Sequence, residues 1–251
     1  MTRPTTTNLL ADLRQRYGLE PAAWPEHTVI STGVPALDQV LGGGIPRGAV
    51  TEIFGPTGSG KSSLAMMVAG QAQRAGLAVA VISGESPPAR DYLSRLGVDV
   101  KKLLLLQPEL LEVALEAVRC LIGRVGLIVL DSVAAFPPRY EMEVEIGDHI
   151  DGKIEQIWDQ AQRCLGHALQ RSSTSLLLVN QIRKRRGVLF GNPERQVAEE
   201  IIAYWASVRL ALHRTMVLKQ GGIAVGQKVQ VKVVKSKVAP PFQTVEFDLL
   251  Y

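Results

Sequence analysis

With 251 residues, 46% of them hydrophobic and 21% charged, and a net charge of only +4, the chain is long and apolar enough for one large α/β domain or one domain with small appendages. Its longest uncharged apolar runs are too short to cross a bilayer, and residues 1–10 lack the basic segment and apolar core of a secretory signal. That excludes a membrane-spanning helix and predicts a cytoplasmic protein. Cys120 and Cys164 have no metal-ligand spacing and fall on helical patterns, so they read as buried, reduced thiols; the four histidines are scattered and form no metal-binding pair.

In chain order, a short helix is predicted over Asn8–Tyr17, preceded by the Thr5–Thr7 run that caps it, and it stands before the core. Thr28–Gly48, rich in Gly and Pro, reads as a connecting segment. From there strands and helices alternate. The candidate strands are Val50–Phe54, Ala78–Ser83, Leu103–Gln107, Gly126–Leu130 and Ser175–Asn180. Helical patterns lie between them, at Ser62–Ala75, Pro88–Leu96, Leu110–Ile122 and Ile154–Gln170. Near-continuous apolar strands separated by helices predict a mostly parallel central sheet flanked on both faces by helices. After residue 204 the texture turns β-rich. Ser207–His213, Gln227–Val234 and Thr244–Leu250 fit antiparallel strands added at one edge.

Residues 55–62 read Gly55-Pro56-Thr57-Gly58-Ser59-Gly60-Lys61-Ser62, a complete P-loop set between a strand and a helix. Gly55, Gly58 and Gly60 let the backbone approach a polyphosphate, whose charge then faces backbone N–H groups and a helix N-terminus. Lys61 supplies a cation for the β- and γ-phosphates, the Ser62 hydroxyl is a ligand for Mg²⁺, and Ser63 completes the predicted ATP site. Leu127–Leu130 is an apolar strand that runs into Asp131, the form of a Walker B element whose carboxylate orients the Mg²⁺ shell. Glu85, just past the second strand, is placed to polarise an attacking water. Asn180 and Gln181 end another strand with amides that can sense a γ-phosphate. In an open α/β sheet all of these meet outside the carboxyl ends of the strands.

Charge is uneven along the chain. From residue 181 onward Lys and Arg outnumber Asp and Glu by 12 to 5, which points to a polyanion on that side. Arg183-Lys184-Arg185-Arg186, immediately after Gln181-Ile182, is the densest run, and Arg195 lies a little beyond it.

From Thr28 to Tyr251 the chain resembles the RecA recombinase family. The resemblance is carried by Ile30-Ser31-Thr32-Gly33 with Leu37-Asp38, the P-loop, Asp131-Ser132-Val133-Ala134-Ala135 and Glu143-Val144-Glu145-Ile146-Gly147-Asp148. It continues through Asn180-Gln181-Ile182-Arg183, Gly187 to Glu194, Ala206-Ser207-Val208-Arg209, Val231 to Lys237, and Pro241-Phe242. The resemblance implies a RecA-like P-loop NTPase core over residues 28–251, with residues 1–27 as an N-terminal helix and linker that docks on a neighbouring subunit. It implies Glu85 as the catalytic glutamate, with Lys61 at the phosphates and Gln181 linking the γ-phosphate to a DNA-binding loop. Tyr92 is implied to stack on adenine, and Lys235 and Lys237 to reach the ATP of an adjacent protomer in a filament. Residues 141–152 and 182–199 occupy the places of the two DNA-binding loops, with Arg183, Lys184, Arg185, Arg186 and Arg195 as the DNA contacts. ATP, Mg²⁺ and single-stranded DNA are the implied ligands, and homologous recombination or the SOS damage response the implied setting.

The chain also departs from the family pattern. It stops where relatives continue into a further C-terminal domain. Ser86-Pro87-Pro88-Ala89 replaces the adenine-side motif, with Ala89 in place of an Asp; Val144 stands for a glycine, Ile150-Asp151 for His-Met, and Gln156 for an arginine. The second loop ends Arg195-Gln196-Val197-Ala198-Glu199-Glu200 where threonines and two glycines are the rule, which removes backbone freedom and sets two carboxylates near a phosphate backbone. Two readings follow, beside a third, a non-enzymatic oligomer-capping regulator, that the complete P-loop argues against. One is a shortened DNA-dependent ATPase that forms filaments. The other resembles the ImuA-type accessory proteins of translesion synthesis, binding a polymerase or a RecA-type partner without pairing strands.

Overall fold

A computed structural model of the chain describes residues 6–20, 28–145, 153–184 and 194–251. Helix α1 (Thr6–Tyr17) has no buried residue. The segment read as a plain connection is built: β1 (Val29–Ile30) pairs antiparallel with β2 (Ile45–Pro46) around α2 (Pro35–Leu41). The Asp38 carboxylate fixes this unit. It accepts hydrogen bonds from the Ser31 hydroxyl (2.5 Å), the Thr32 backbone N–H (2.7 Å) and the Thr32 hydroxyl (2.7 Å). That accounts physically for the Ser31-Thr32…Asp38 pattern.

The core follows as β3 (Val50–Gly55), α3 (Lys61–Arg74), β4 (Val79–Ser83), α4 (Arg90–Arg95), β5 (Leu103–Leu106), α5 (Leu111–Leu121) and β6 (Leu127–Asp131). Next come α6 (Arg139–Met142), α7 (Lys153–Gln170), β7 (Ser175–Gln181), β8 (Arg183–Lys184), β9 (Glu194–Arg195) and α8 (Glu199–Trp205). The chain closes with β10 (Val208–Gln220), β11 (Ile223–Ser236) and β12 (Thr244–Leu250).

Eight strands form one sheet in the order β12-β11-β10-β3-β7-β6-β4-β5. Alternate residues of its strands feed opposite faces, as the period of two requires. Leu127 and Val129 pack with α2 and α3 on one face, whereas Ile128 and Leu130 pack with α5, α7 and α8 on the other. Strands apolar on both faces make each position count: burying one Leu or Val side chain contributes about 1.5–3 kcal/mol.

The sheet is mostly parallel, as the alternating pattern predicts, but the edge needs two corrections. The strand beginning near residue 207 is parallel to β3, so the antiparallel addition consists of β11 and β12 alone. The β10–β11 pair is also longer than its apolar alternation suggests. It runs to a two-residue turn at Gly221-Gly222, both with positive φ (59° and 84°). A turn with positive φ at both central residues matches strand twist and favours this Gly-Gly sequence. The apolar alternation fades because the hairpin beyond residue 212 leaves its support on β3. The cysteine expectation is also overturned. Cys120 and Cys164 are both exposed, because α5 and α7 turn Val118 and Leu165 into the core and the neighbouring positions outward.

Close backbone packing sets one stability test. A Cβ on Gly70, in the middle of α3, would stand 2.6 Å from the Gly97 carbonyl oxygen and 2.8 Å from its carbon. Gly70→Ala gains about 1 kcal/mol of helix propensity. We expect it nevertheless to destabilise the fold by about 1–3 kcal/mol, because backbone must move to admit the methyl group. Equilibrium urea unfolding checks the sign; a variant as stable as the parent contradicts this packing.

Candidate nucleotide site

The sheet register brings the site together. Gly55 lies level with Gln181 across β3 and β7, Asp131 with Val179 across β6 and β7, and Ser83 with Asp131 across β4 and β6. The carboxyl ends of the central parallel strands therefore deliver the P-loop, Asp131, Glu85 and Gln181 to one edge. They line a cavity of about 240 Å³ together with Thr57, Gly58, Lys61 and Ser62.

The P-loop glycines serve different needs. Gly58 and Gly60 take left-handed φ values of 74° and 92°. Gly55 is required by crowding, since a Cβ there would lie 2.2 Å from the Leu212 carbonyl oxygen of β10. Gly60 is hemmed in as well, with Gln227 Nε2 at 3.0 Å and Leu249 Cδ2 at 3.1 Å from the position a Cβ would take. Lys61, at the first turn of α3, donates to the Pro56 carbonyl (2.8 Å). Burial pushes its pKa below the ordinary lysine value, and the Asp131 and Glu85 carboxylates oppose that shift. Burial pushes the Asp131 carboxyl up; the neighbouring Ser62 hydroxyl and Lys61 counter part of the rise while Glu85 adds to it.

The residues fit a magnesium–nucleotide. Ser59 Oγ is buried with no hydrogen-bond partner among the described residues, and the strand–loop–helix cradle admits an anion where side chains are excluded. Ser62 and Asp131 together form a hydroxyl–carboxylate pair of the kind that holds a hydrated Mg²⁺. Glu85 is engaged on one oxygen: Oε1 accepts from Ser132 Oγ (3.0 Å) and from Gln181 Nε2 (2.9 Å). Tyr92 meets the same end of α3 through a 2.7 Å hydroxyl contact with Ser63.

Four neighbours were given no role in the sequence reading. Ser132 completes the Glu85–Gln181 contact. Arg214 Nη1 lies 3.8 Å from where a Gly58 Cβ would stand, and Gln227, bonded to Tyr251 Oη (3.1 Å), abuts Gly60. Arg214, Gln227 and Tyr251 arrive on β10, β11 and the end of the chain, and no local motif marks them.

Other expected site residues lie elsewhere. Lys235 Nζ donates to the carbonyls of Ala203 (2.6 Å) and Tyr204 (3.0 Å), closing the C-terminal end of α8, and burial lowers its pKa. The Lys237 backbone pairs with Ser207. Arg183 and Arg195 face one another across the β8–β9 ribbon and line a cleft of about 660 Å³ with Gln196, Glu155, Glu199 and Glu200. Lys184 belongs to the same ribbon, and Arg185 and Arg186 lie outside the described residues, as do 146–152 of the first expected loop.

The comparisons agree with this architecture. A family model described as the RecA N-terminal domain matches residues 19–251. Protein RecA of Streptomyces venezuelae is 47% identical over 226 residues, covering 89% of this chain and 60% of its own length. Protein RecA of Chlorobaculum tepidum is 46% identical, with 89% of this chain and 65% of its own covered. The chain thus spans under two thirds of the length of these relatives. The crystal structure of the RadB recombinase superposes with a TM-score of 0.64 at 20% identity, covering 88% of this chain and 96% of that one, a likeness of fold.

Burial of a carboxylate at a ligand site costs stability when no cation is present. Asp131→Asn keeps the shape and removes that charge. We expect it to raise the melting temperature in Mg²⁺-free buffer by about 2–4 °C, equivalent to about 1 kcal/mol, and to lose the further rise that Mg²⁺ with nucleotide gives the parent. A calorimetric scan with and without Mg²⁺ and nucleotide reads both.

Proposed function

The chain belongs to the RecA family, and on that footing we propose that it binds and hydrolyses ATP with Mg²⁺ and couples that cycle to single-stranded DNA in recombination or repair. The observation that carries this reading is the Glu85–Ser132–Gln181 contact beside the P-loop. It joins the candidate base for water to the amide that leads directly into the basic ribbon. Ser62 and Asp131 would hold Mg²⁺, which would supply positive charge to the phosphates.

The side chains divide the work. The P-loop N–H groups and Lys61 hold and orient the polyphosphate. Glu85 Oε1 is occupied by two donors, which fixes the carboxylate and leaves Oε2 to accept a proton from water. Gln181 donates to Glu85, so an anion that competes for its amide moves the end of β7 and the residues after it. Tyr92, held against Ser63, and Tyr251, held by Gln227, supply aromatic surface near the nucleotide. Glu85→Gln is expected to retain ATP affinity while slowing hydrolysis by about 10²–10⁴-fold, because an amide cannot take the proton. Single-turnover kinetics test it, and hydrolysis at the parental rate removes Glu85 from this role.

The DNA side of the proposal rests on charge. Arg183 and Arg195 line the 660 Å³ cleft, and Arg183 opens a run of four basic residues in the sequence that ends at Arg186. Glu155, Glu199 and Glu200 oppose them from the same cleft. That mixed lining is the observation favouring the second reading, an accessory protein of translesion synthesis whose partner is a polymerase or a RecA-type subunit. Helix α1, with Leu9, Leu13 and Tyr17 exposed, is the candidate element for self-association, and Lys235 and Lys237 are candidate contacts to a neighbour's nucleotide.

The deciding experiment is ATP turnover with and without single-stranded DNA. Stimulation supports the DNA-dependent ATPase; turnover indifferent to DNA favours the accessory reading. In anisotropy titrations with a non-hydrolysable ATP analogue, replacing Arg183, Lys184, Arg185 and Arg186 by Ala should lower the salt slope by about 2–3, at about 0.7 per lost phosphate contact. Glu199→Gln with Glu200→Gln should tighten binding without cutting into the start of α8. An unchanged slope places the phosphate contacts elsewhere.

A further inference from the structure

Behind the site lies a buried polar cluster that the reading above does not use. Glu52, in the middle of β3, has a side chain with no exposure to solvent, and Arg209 of β10 pairs with it at 2.5 Å, itself 11% exposed. Arg209 also stacks on the Phe54 ring (4.7 Å to the centroid) and reaches Gln196 Oε1 at 3.4 Å. Asn180 closes the cluster. Its Nδ2 donates to Glu52 Oε1 (3.1 Å) and to the Val197 carbonyl (3.1 Å), while its Oδ1 accepts from the Gln181 backbone N–H (3.0 Å).

A side-chain amide has two N–H donors and one oxygen acceptor, and here each kind of group is engaged in full burial. The three bonds lead in three directions: to the P-loop strand, to the residue whose side chain rests on Glu85, and to the backbone just before α8. An unbroken series of contacts therefore runs from Glu85 through Gln181 and Asn180 to Val197. Ala198, next in the chain and the N-cap of α8, is held at φ 49°, a left-handed conformation that L residues other than Gly and Asn rarely adopt. Such a conformation persists only where its surroundings enforce it, and the Asn180–Val197 bond is the adjacent constraint. Helix α8 supplies Glu199 and Glu200 to the charged cleft.

We propose that Asn180 is a positioning residue that transmits the state of the nucleotide site to the start of α8, with Glu52 and Arg209 as the fixed base against which its amide is held. The proposal rests on the nucleotide reading above. It requires that displacing Gln181 from Glu85 shift the amide bonded to its backbone, and with it Val197. Gln is too long for this position, Asp cannot donate in its ionised form, and an apolar side chain can make none of the three bonds.

Hydrogen exchange with adenylyl-imidodiphosphate and Mg²⁺ tests it without DNA. In the parent, the nucleotide should slow exchange at residues 57–64 and also at 196–205, the latter by about tenfold or more. The Asn180 amide, expected from the sequence to sense a γ-phosphate, is spent on Glu52 and Val197 and does not line the nucleotide cavity, so in Asn180→Leu the P-loop protection should remain while the response at 196–205 falls below about twofold. If Asn180→Leu does not fold, Asn180→Ala carries the same test, since it removes all three bonds without adding bulk or a second carboxylate beside Glu52. A variant that keeps the full response at 196–205 overturns the proposal. So does a parent that is protected at the P-loop and unresponsive at 196–205. A parent unprotected at the P-loop itself is instead a failure of the nucleotide reading, and the coupling falls with it.

Discussion

Everything at the nucleotide edge depends on the register of four parallel strands. Gly55 is level with Gln181, Asp131 with Val179, and Ser83 with Asp131. Because side chains alternate faces, a slip of one residue in any of these pairings would send every core side chain to the opposite layer and carry a functional side chain away from its partners. Both layers are covered, so the register is held by packing fit: Leu127 and Val129 pack with α2 and α3, and Ile128 and Leu130 with α5, α7 and α8. The hydrophobic effect thus places the polar groups. No polar contact at the site has to be strong for Glu85 and Gln181 to meet.

The same sheet tolerates one buried ion pair, and the reason is geometric. Burying a charge is costly unless paired and hydrogen-bonded, and a buried pair is often no more stable than apolar residues of equal volume. Burial raises the Glu52 pKa, and Arg209 and Asn180 act against that rise. The pair ties β3 to β10, the two strands whose contact also crowds Gly55 against Leu212. Specific pairing of these strands fixes the P-loop from behind, which an apolar pair would do with less directional constraint.

What was legible in the sequence follows from how local each feature is. The P-loop declares itself because its residues are contiguous and their spacing is dictated by one anion. The parallel core was readable because strands buried on both faces become near-continuous apolar runs. The neighbours of the site were not. Ser132 reaches Glu85 across 47 residues, Asn180 reaches Glu52 across 128, and Arg209 reaches it across 157. In a parallel sheet chain order is not spatial order, and a lone Glu inside an apolar run carries no mark of its distant partner. The cysteines failed for a different reason: a helical period places a residue on a face only to within a position or two, and Cys120 falls two residues past buried Val118 while Cys164 falls one before buried Leu165. The length of the β10–β11 hairpin was encoded in Gly221-Gly222, but its outer half lacks the alternation that signals a half-buried strand.

The loop that departs most from the family pattern is also where structure changes the meaning of sequence. Ala198 lies where the family pattern runs into glycines, and it takes a left-handed conformation at φ 49°, at a cost of about 1–2 kcal/mol for a residue with a Cβ. Glu199 and Glu200 then occupy the first turn of α8, where negative charge is favourable against the helix dipole. At the other end of this seven-residue helix Lys235 donates to the last carbonyls, so both ends carry charge of the stabilising sign. The carboxylates that look hostile to a phosphate backbone thus have a structural role of their own. Their presence in the cleft has this second cause beside any effect on a ligand there. It argues that α8 carries favourable charge at both ends and is strained at its entry. A short helix built that way can shift as a body when the one bond before it, from Asn180 to Val197, is pulled.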